Sequence, residues 1–177
     1  IVEICVRKQA GGLCSGYLHD LKPGDCIDGF IRPNPGFRPA TGNRPVILVG
    51  AGAGIGPLTG FIRNNTRCNP MYLYWGGRDA RSDFLYQPEL GRYLEDHRLS
   101  GLNTAFSRTD ERAYVQDKLK QDELAVRQMV NTGAQILVCG GRDMAAAVRQ
   151  VIEDIIKPLH IDIETLRGQG RYLEDVY

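Results

Sequence analysis

At 177 residues the chain fits one full domain, or one domain plus part of another. Its formal net charge of +1 gives no electrostatic reason to expect a nucleic-acid or anionic-membrane partner. Five cysteines, at 5, 14, 26, 68 and 139, contain no Cys-x-x-Cys pair and leave an odd count, which points to reduced thiols in a cytoplasmic setting and against a disulfide or zinc framework.

Taken in order, Ile1–Arg7 sets apolar Val2, Ile4 and Val6 against Glu3, Cys5 and Arg7, the two-residue period of a strand. It opens mid-pattern and without methionine, so we expect a piece of a longer protein. Gly11-Gly12 reads as a turn, Leu13–Leu21 as a short helix and Asp25–Arg32 as a second strand after the Lys22-Pro23-Gly24-Asp25 turn. Two strands around one short helix cannot make a core, so their partners are expected upstream. Asn34–Asn43, carrying prolines and glycines, reads as a linker. The expected division is therefore 1–41 and 42–177.

From Arg44 the pattern alternates strand and helix. The expected strands are Val46–Val49, Met71–Trp75, Leu102–Phe106, Gln135–Cys139 and a short Tyr172–Tyr177; the expected helices are Ile55–Asn64, Gln87–Asp96, Tyr114–Leu119, Glu123–Asn131 and Asp143–Ile156. Right-handed crossovers turn this order into an α/β fold with an open, doubly wound parallel sheet, whose ligands bind at the carboxyl ends of the strands. The uncharged run Val46–Ile62 is shorter than the ~20 residues a membrane span needs and is broken by glycines and a proline, so it reads as a turn between soluble elements.

That run carries the chemistry. Gly50, Gly52, Gly54 and Gly56 follow the first strand at alternate positions, just before a helix, so backbone N–H groups and the positive end of the helix dipole face any anion placed there. No Gly-Lys-Ser/Thr follows, which excludes a triphosphate P-loop, and the spacing Gly52-x-Gly54-x-x-Pro57 departs from the dehydrogenase Gly-x-Gly-x-x-Gly. After the third strand, Ser107, Arg108, Arg112, Tyr114 and Gln116 combine guanidiniums with a hydroxyl, a phenol and an amide, a set suited to a phosphate monoester beside a flat ring. Cys139, Gly140 and Gly141 end the fourth strand, and the glycines open backbone space for a flat ligand. The three histidines share no constellation and no metal-ligand spacing occurs.

Five stations in order, Gly12-Leu13-Cys14-Ser15, Gly50–Pro57, Phe106-Ser107-Arg108 with Tyr114-Val115-Gln116, Val138-Cys139-Gly140, and Arg171-Tyr172 through Asp175-Val176-Tyr177, are joined by Tyr74–Tyr86. Together they resemble the NADPH-binding half of ferredoxin–NADP reductase-like diflavin reductases, most nearly the bacterial NADPH–sulfite reductase flavoprotein group. The resemblance spans nearly the whole chain. It implies that residues 1–41 are the tail of an antiparallel β-barrel FAD domain, with Gly12, Cys14 and Ser15 at the FAD pyrophosphate. It implies that Gly52, Ala53, Gly54 and Pro57 line the NADPH pyrophosphate and nicotinamide passage, with Arg78 approaching that pyrophosphate. Ser107, Arg108, Arg112, Tyr114 and Gln116 would hold the 2′-phosphate. Cys139 and Gly140 would lie against the nicotinamide, Asp175 would support charge there, and Tyr177 would stack on the isoalloxazine.

The implied activity is hydride transfer from NADPH to FAD, with electrons passed on to FMN or another acceptor, such as a haemoprotein or a similar redox partner. Two departures are Ala53, where the family commonly has threonine, and Arg112, where lysine is frequent. The family's flavin-stacking Arg-x-Tyr-Ser segment is absent from the chain, so poor FAD retention is expected. A nucleotide-binding sensor or scaffold without redox activity is the alternative. A simple dehydrogenase is disfavoured by the glycine spacing and by the lack of a ribose-binding acid after the second strand.

Overall fold

The computed structural model describes residues 2–177; Ile1, the first residue of the expected opening strand, lies outside the described residues. Leu13–Asp20 (α1) is the one regular element among described residues 2–45, and none of its residues is buried. The strands expected at 1–7 and 25–32 do not form among the described residues. An alternating pattern buries nothing and leaves its N–H and C=O groups unpaired unless another strand lies alongside, and the strands of the body are all paired with one another.

The stretch expected as a linker is docked from Phe37 onward. Phe37 is buried with its ring 5.8 Å from Phe61, and the Ala40 N–H donates to Gln135 Oε1 at 2.6 Å. Gln135, itself buried, returns hydrogen bonds to the carbonyls of Arg38 (3.3 Å) and Gly170 (2.9 Å). A side-chain amide therefore satisfies backbone groups that no ladder reaches.

The body is the expected α/β sheet. Val46–Ala51 (β1), Ile55–Arg63 (α2), Met71–Gly77 (β2), Gln87–Glu95 (α3), Gly101–Phe106 (β3), Val115–Gln121 (α4), Glu123–Asn131 (α5), Gln135–Gly140 (β4), Arg142–Ile156 (α6), Ile163–Gly168 (α7) and Tyr172–Val176 (β5) follow in sequence. All five strands are parallel, in the order β3-β2-β1-β4-β5. The chain steps outward from β1 to β3, then returns to the far side of β1 for β4. The sheet thus reverses direction between β1 and β4, where α/β sheets open a crevice outside their carboxyl ends.

Alternation along the strands sorts the core into two faces. Leu48, Leu73, Trp75 and Leu137 pack with Leu58 and Ile62 of α2 and Leu90 of α3. Ile47, Val49, Tyr74, Ile136 and Val138 pack with Leu119, Val126, Val148, Ile152 and Leu166 from α4 to α7. The helix α7 was not expected from the sequence. Its start is set by Asp162, whose carboxylate accepts the Thr165 N–H at 2.7 Å, the side-chain cap that a helix N-terminus favours.

A cleft at the switch point

Strand β1 runs into the glycine turn in extended backbone at Ala51. Gly52 then takes φ +54°, a left-handed conformation open to a residue without a Cβ, and Gly52–Gly54 makes one 3-10 turn into α2. Gly54 is bare for a second reason: a Cβ there would lie 2.1 Å from the Cys139 carbonyl oxygen. The turn is thereby pressed against the end of β4, across the reversal of the sheet. Trp75, fully buried at the end of β2, holds it from the other side by donating its indole N–H to the Gly52 carbonyl at 3.3 Å. No side chain caps the N-terminus of α2; its Ile55 N–H turns back to the Gly52 and Ala53 carbonyls of the 3-10 turn, so α2 offers an anion the positive end of its dipole rather than a free first amide.

Around this turn opens a cleft of about 680 Å³. Its floor is Ala51–Ala53, its walls are Gly76–Arg78 beyond β2, Ser107 beyond β3, Tyr114–Gln116 at the start of α4, and Asp143 and Met144 on α6. The β2–β3 pairing carries on one step past the strands. Ser107 N–H reaches Gly77 O at 3.1 Å and Arg108 N–H reaches Arg78 O at 2.7 Å, which sets the Ser107-Arg108 pair beside Arg78. The Arg112 guanidinium lies 5.1 Å over the Tyr114 ring and donates to its hydroxyl. Tyr114 N–H in turn donates to the Asp117 carboxylate at 2.8 Å, which caps α4 and fixes where the phenol stands.

Cys139, Asp175 and Tyr177 gather on the β4 side of the same turn. Cys139 and Asp175 are paired across the β4–β5 ladder, and Tyr177 N–H donates to Gly140 O at 3.1 Å. Burial, then the Asp175 charge, pushes the Cys139 thiol up to about 12, so it is a neutral, packed thiol at physiological pH. The Tyr177 phenol is raised by burial first and then by the Cys139 and Cys5 thiols, against the Gly54 backbone and Arg7, which lower it; its ring nonetheless remains largely exposed.

Of the expected site residues, Gly52, Ala53, Arg78, Ser107, Tyr114 and Gln116 line the one cleft. Gly54, Cys139, Gly140, Asp175 and Tyr177 surround its glycine turn, and Arg108 and Arg112 adjoin its far wall. Pro57 lies beside it in a second hollow of about 650 Å³ with Gly56, Arg63 and Tyr86. Gly12, Cys14 and Ser15 stand apart from both hollows; there the Gln9 N–H donates to Ser15 Oγ at 3.0 Å, closing the Gln9–Gly12 turn.

Sequence reasoning missed Trp75, Asp143, Met144 and the segment Cys5–Lys8 as cleft residues. Trp75 was discoverable, since it ends the second strand beside Gly76-Gly77. The Cys5–Lys8 segment was not, because long-range contacts place it. Glu3 accepts from Arg63 Nη1 at 3.0 Å and from the Tyr86 hydroxyl, and Arg63 is forked onto Glu89 at 2.6 and 2.8 Å. That fork, aided by the Tyr93 hydroxyl, draws the Glu89 carboxyl down to about 2.

The chain resembles known proteins over almost all of its length. It is 37% identical over 188 residues to the NADPH–cytochrome P450 reductase of Dictyostelium discoideum, covering 97% of this chain and 28% of that protein. It is 36% identical over 167 residues to a self-sufficient cytochrome P450 monooxygenase of Oidiodendron maius, covering 85% and 16%. It is 37% identical over 194 residues to the sulfite reductase [NADPH] flavoprotein alpha-component of Vibrio vulnificus, covering 100% and 31%. The chain thus spans less than a third of the length of these relatives. The sequence model of the oxidoreductase NAD-binding domain matches residues 48–150, from β1 through most of α6, the stretch that builds the glycine turn and the cleft floor. The chain belongs to the oxidoreductase NAD-binding domain family.

Proposed function

We propose that the chain binds NADPH along the carboxyl rim of its sheet and presents the nicotinamide to a flavin, as the nucleotide-binding part of an NADPH-dependent flavoprotein reductase. The observation that carries this reading is the single cleft across the switch point, with the Gly52–Gly54 turn on its floor and Ser107, Tyr114 and Gln116 on one wall. A dinucleotide phosphate is long and bears negative charge at two separate places, and this cleft meets it with the positive end of the α2 dipole at one and guanidiniums beside the other. The residues fit the group: an added Cβ at Gly52, on the cleft floor, would meet nothing within 4 Å, and no side chain caps the start of α2, so the turn leaves room for a phosphate. Two of the relatives named above carry NADPH in their names, which supports the choice of cofactor.

NADPH, when bound, supplies the hydride, and the flavin accepts it. The chain's own part is positional. Gly52, Ala53, Gly54 and Pro57 guide the pyrophosphate and the ring, with Arg78 at the cleft wall. Ser107, Arg108, Arg112, Tyr114 and Gln116 hold the 2′-phosphate. Neutral Cys139, with Gly140 beside it, packs against the nicotinamide without donating or removing a proton, Asp175 stabilises charge nearby, and Tyr177 covers the flavin ring. Gly12, Cys14 and Ser15 hold the FAD pyrophosphate. Electrons then leave through FMN or a haemoprotein, in a cytoplasmic setting that suits the exposed free thiols Cys14, Cys26 and Cys68. Among the described residues no helix is long and apolar enough to cross a membrane.

Calorimetric titration of Arg108→Ala with NADP⁺ and NAD⁺ tests the assignment. We expect NADP⁺ to weaken by about tenfold or more, as for loss of a charge-assisted bond, with NAD⁺ unchanged. An unaltered preference for NADP⁺ would overturn the phosphate assignment.

A further inference from the structure

We propose that Glu174 is a positioning residue: gripped from α6 and α7 on one face of the sheet, it sets Asp175 and Tyr177, on the other face, at the nicotinamide end of the cleft. This rests on the NADPH reading above. β5 is an edge strand, paired with β4 alone. Its side chains alternate between the two faces. Tyr172 is buried among the side chains of α4 to α7, Leu173 packs on the α2 side, and Glu174 returns to the first face. Asp175 pairs with Cys139 in the ladder, and the Tyr177 phenol feels the Cys139 and Cys5 thiols and the Gly54 backbone. Those groups all belong to the α2 side.

Burial does not hold this stretch. Tyr172 is buried and Leu173 and Glu174 are half-buried, but residues 175–177 are exposed. The hold is polar. Arg149 of α6 forks onto the Glu174 carboxylate, with Nη2 at 2.9 and 3.0 Å from its two oxygens and Nε at 3.3 Å from one. Arg167 of α7 donates to it at 2.9 Å, and the Tyr172 hydroxyl at 3.0 Å. Arg167 is itself fixed by Glu164 at 2.6 Å, and it lies 5.5 Å over the Tyr172 ring. The Glu174 side chain is 14% exposed, so these charge-assisted bonds are shielded from solvent. Beyond Glu174 the strand continues on ladder hydrogen bonds, the last from Tyr177 N–H to Gly140 O at 3.1 Å. A strand bonded along one edge can roll about that edge. The grip on one face stops the roll, and so fixes where Asp175 and Tyr177 stand on the other. Glu174 lines neither hollow, so it acts through the backbone of its own strand.

The 177-residue chain and its Glu174→Ala variant are titrated with NADP⁺ and with adenosine 2′,5′-bisphosphate, which lacks the nicotinamide half. We expect the ratio of the two affinities to shift by about fivefold or more, through NADP⁺ alone. The shift should vanish in a chain already carrying Asp175→Ala and Tyr177→Ala, because a positioning residue acts only through the groups it positions. Glu174→Ala also strands two guanidiniums, so Arg149→Met serves as a milder variant, expected to shift the ratio in the same direction by about twofold. An unchanged ratio in both variants overturns the inference. So does an equal loss of both ligands, or a shift that persists without Asp175 and Tyr177, either of which makes the grip a matter of stability alone. A wild-type chain that binds neither ligand overturns the NADPH reading, and this inference with it, whereas wild-type binding with an unaltered ratio in the variants leaves that reading standing.

Discussion

Residues 2–36 and residues 37–177 are written in the same alphabet of apolar alternation, and they end in opposite states. Ile47, Leu48, Val49, Ile136, Leu137 and Val138 are fully buried, whereas Leu13 and Phe30 are each 90% exposed and Ile31 is 76% exposed. The difference is not propensity. In the body, β1 has a partner strand on each side, and each strand's alternate residues meet a helix on one face or the other. The first segment has the pattern and no partner strand, so it touches the body through the Glu3 carboxylate and the packed Cys5, while Val2, Ile4, Leu13, Phe30 and Ile31 stay in water. A strand pattern is a statement about one edge of a pair; burial belongs to the pair.

That comparison can be broken most sharply at the thiols. Cys139 sits 4% exposed at the carboxyl end of β4, while Cys14 and Cys26 lie exposed in the first segment. In timed alkylation by iodoacetamide read by mass spectrometry, Cys139 should react about 1,000-fold more slowly than Cys14, because modification requires opening of β4 against most of the global stability. Equal rates would mean that the sheet is not closed over it. A raised thiol pKa of about 12 acts in the same direction, since little thiolate is present at neutral pH.

Next in size is a matched glycine pair. Gly54→Ala would place a Cβ 2.1 Å from the Cys139 carbonyl, backbone against backbone, whereas Gly29→Ala meets nothing within 4 Å. We expect the first to cost about 3 kcal/mol or more, a fall in Tm of roughly 6–12 °C, and the second to stay within about 0.5 kcal/mol. Equal melting curves by circular dichroism would remove the close approach of the turn to β4.

A similar pair places the edge of the body. Phe37→Ala should destabilise by about 3 kcal/mol in urea unfolding, because Phe37 is 5% exposed against Phe61, while Phe30→Ala should be nearly silent. A silent Phe37→Ala would return residues 37–40 to the first segment.

The smallest effect is a pH dependence at the join between the two regions. The Glu89 carboxyl is held near 2 by its fork with Arg63, below its ordinary value of 4.5. A carboxyl lowered on folding contributes stability that is present above its unfolded value and is lost as pH falls toward the folded one. Stability should therefore decline between about pH 4.5 and 2, and Glu89→Gln should flatten that limb by about 1 kcal/mol or less, since the pair is partly exposed. A wild-type curve with the same slope as the variant would show that the fork contributes nothing.

Much of the molecule was legible in its residues. Five strands and most helices follow from local period and from the glycines and caps that end them, and the boundaries move by only one or two residues, as Met71–Trp75 extends to Gly77. The five-station order also marked most of the cleft, because α/β connections carry strand ends to one rim. The unread helix α7 is six residues long, too short for periodicity to mark, although its Asp162 cap was in view.

What residues alone determined, then, is which segments are strands and helices and which side chains stand at strand ends, because those depend on spacing along one chain. Tertiary structure decided the rest. It left residues 2–7 and 25–32 without a partner, pressed Gly54 onto Cys139, folded Phe37 inward, and brought Cys5–Lys8 to the cleft. Each of these depends on a neighbour remote in sequence, and no local period encodes where that neighbour will be.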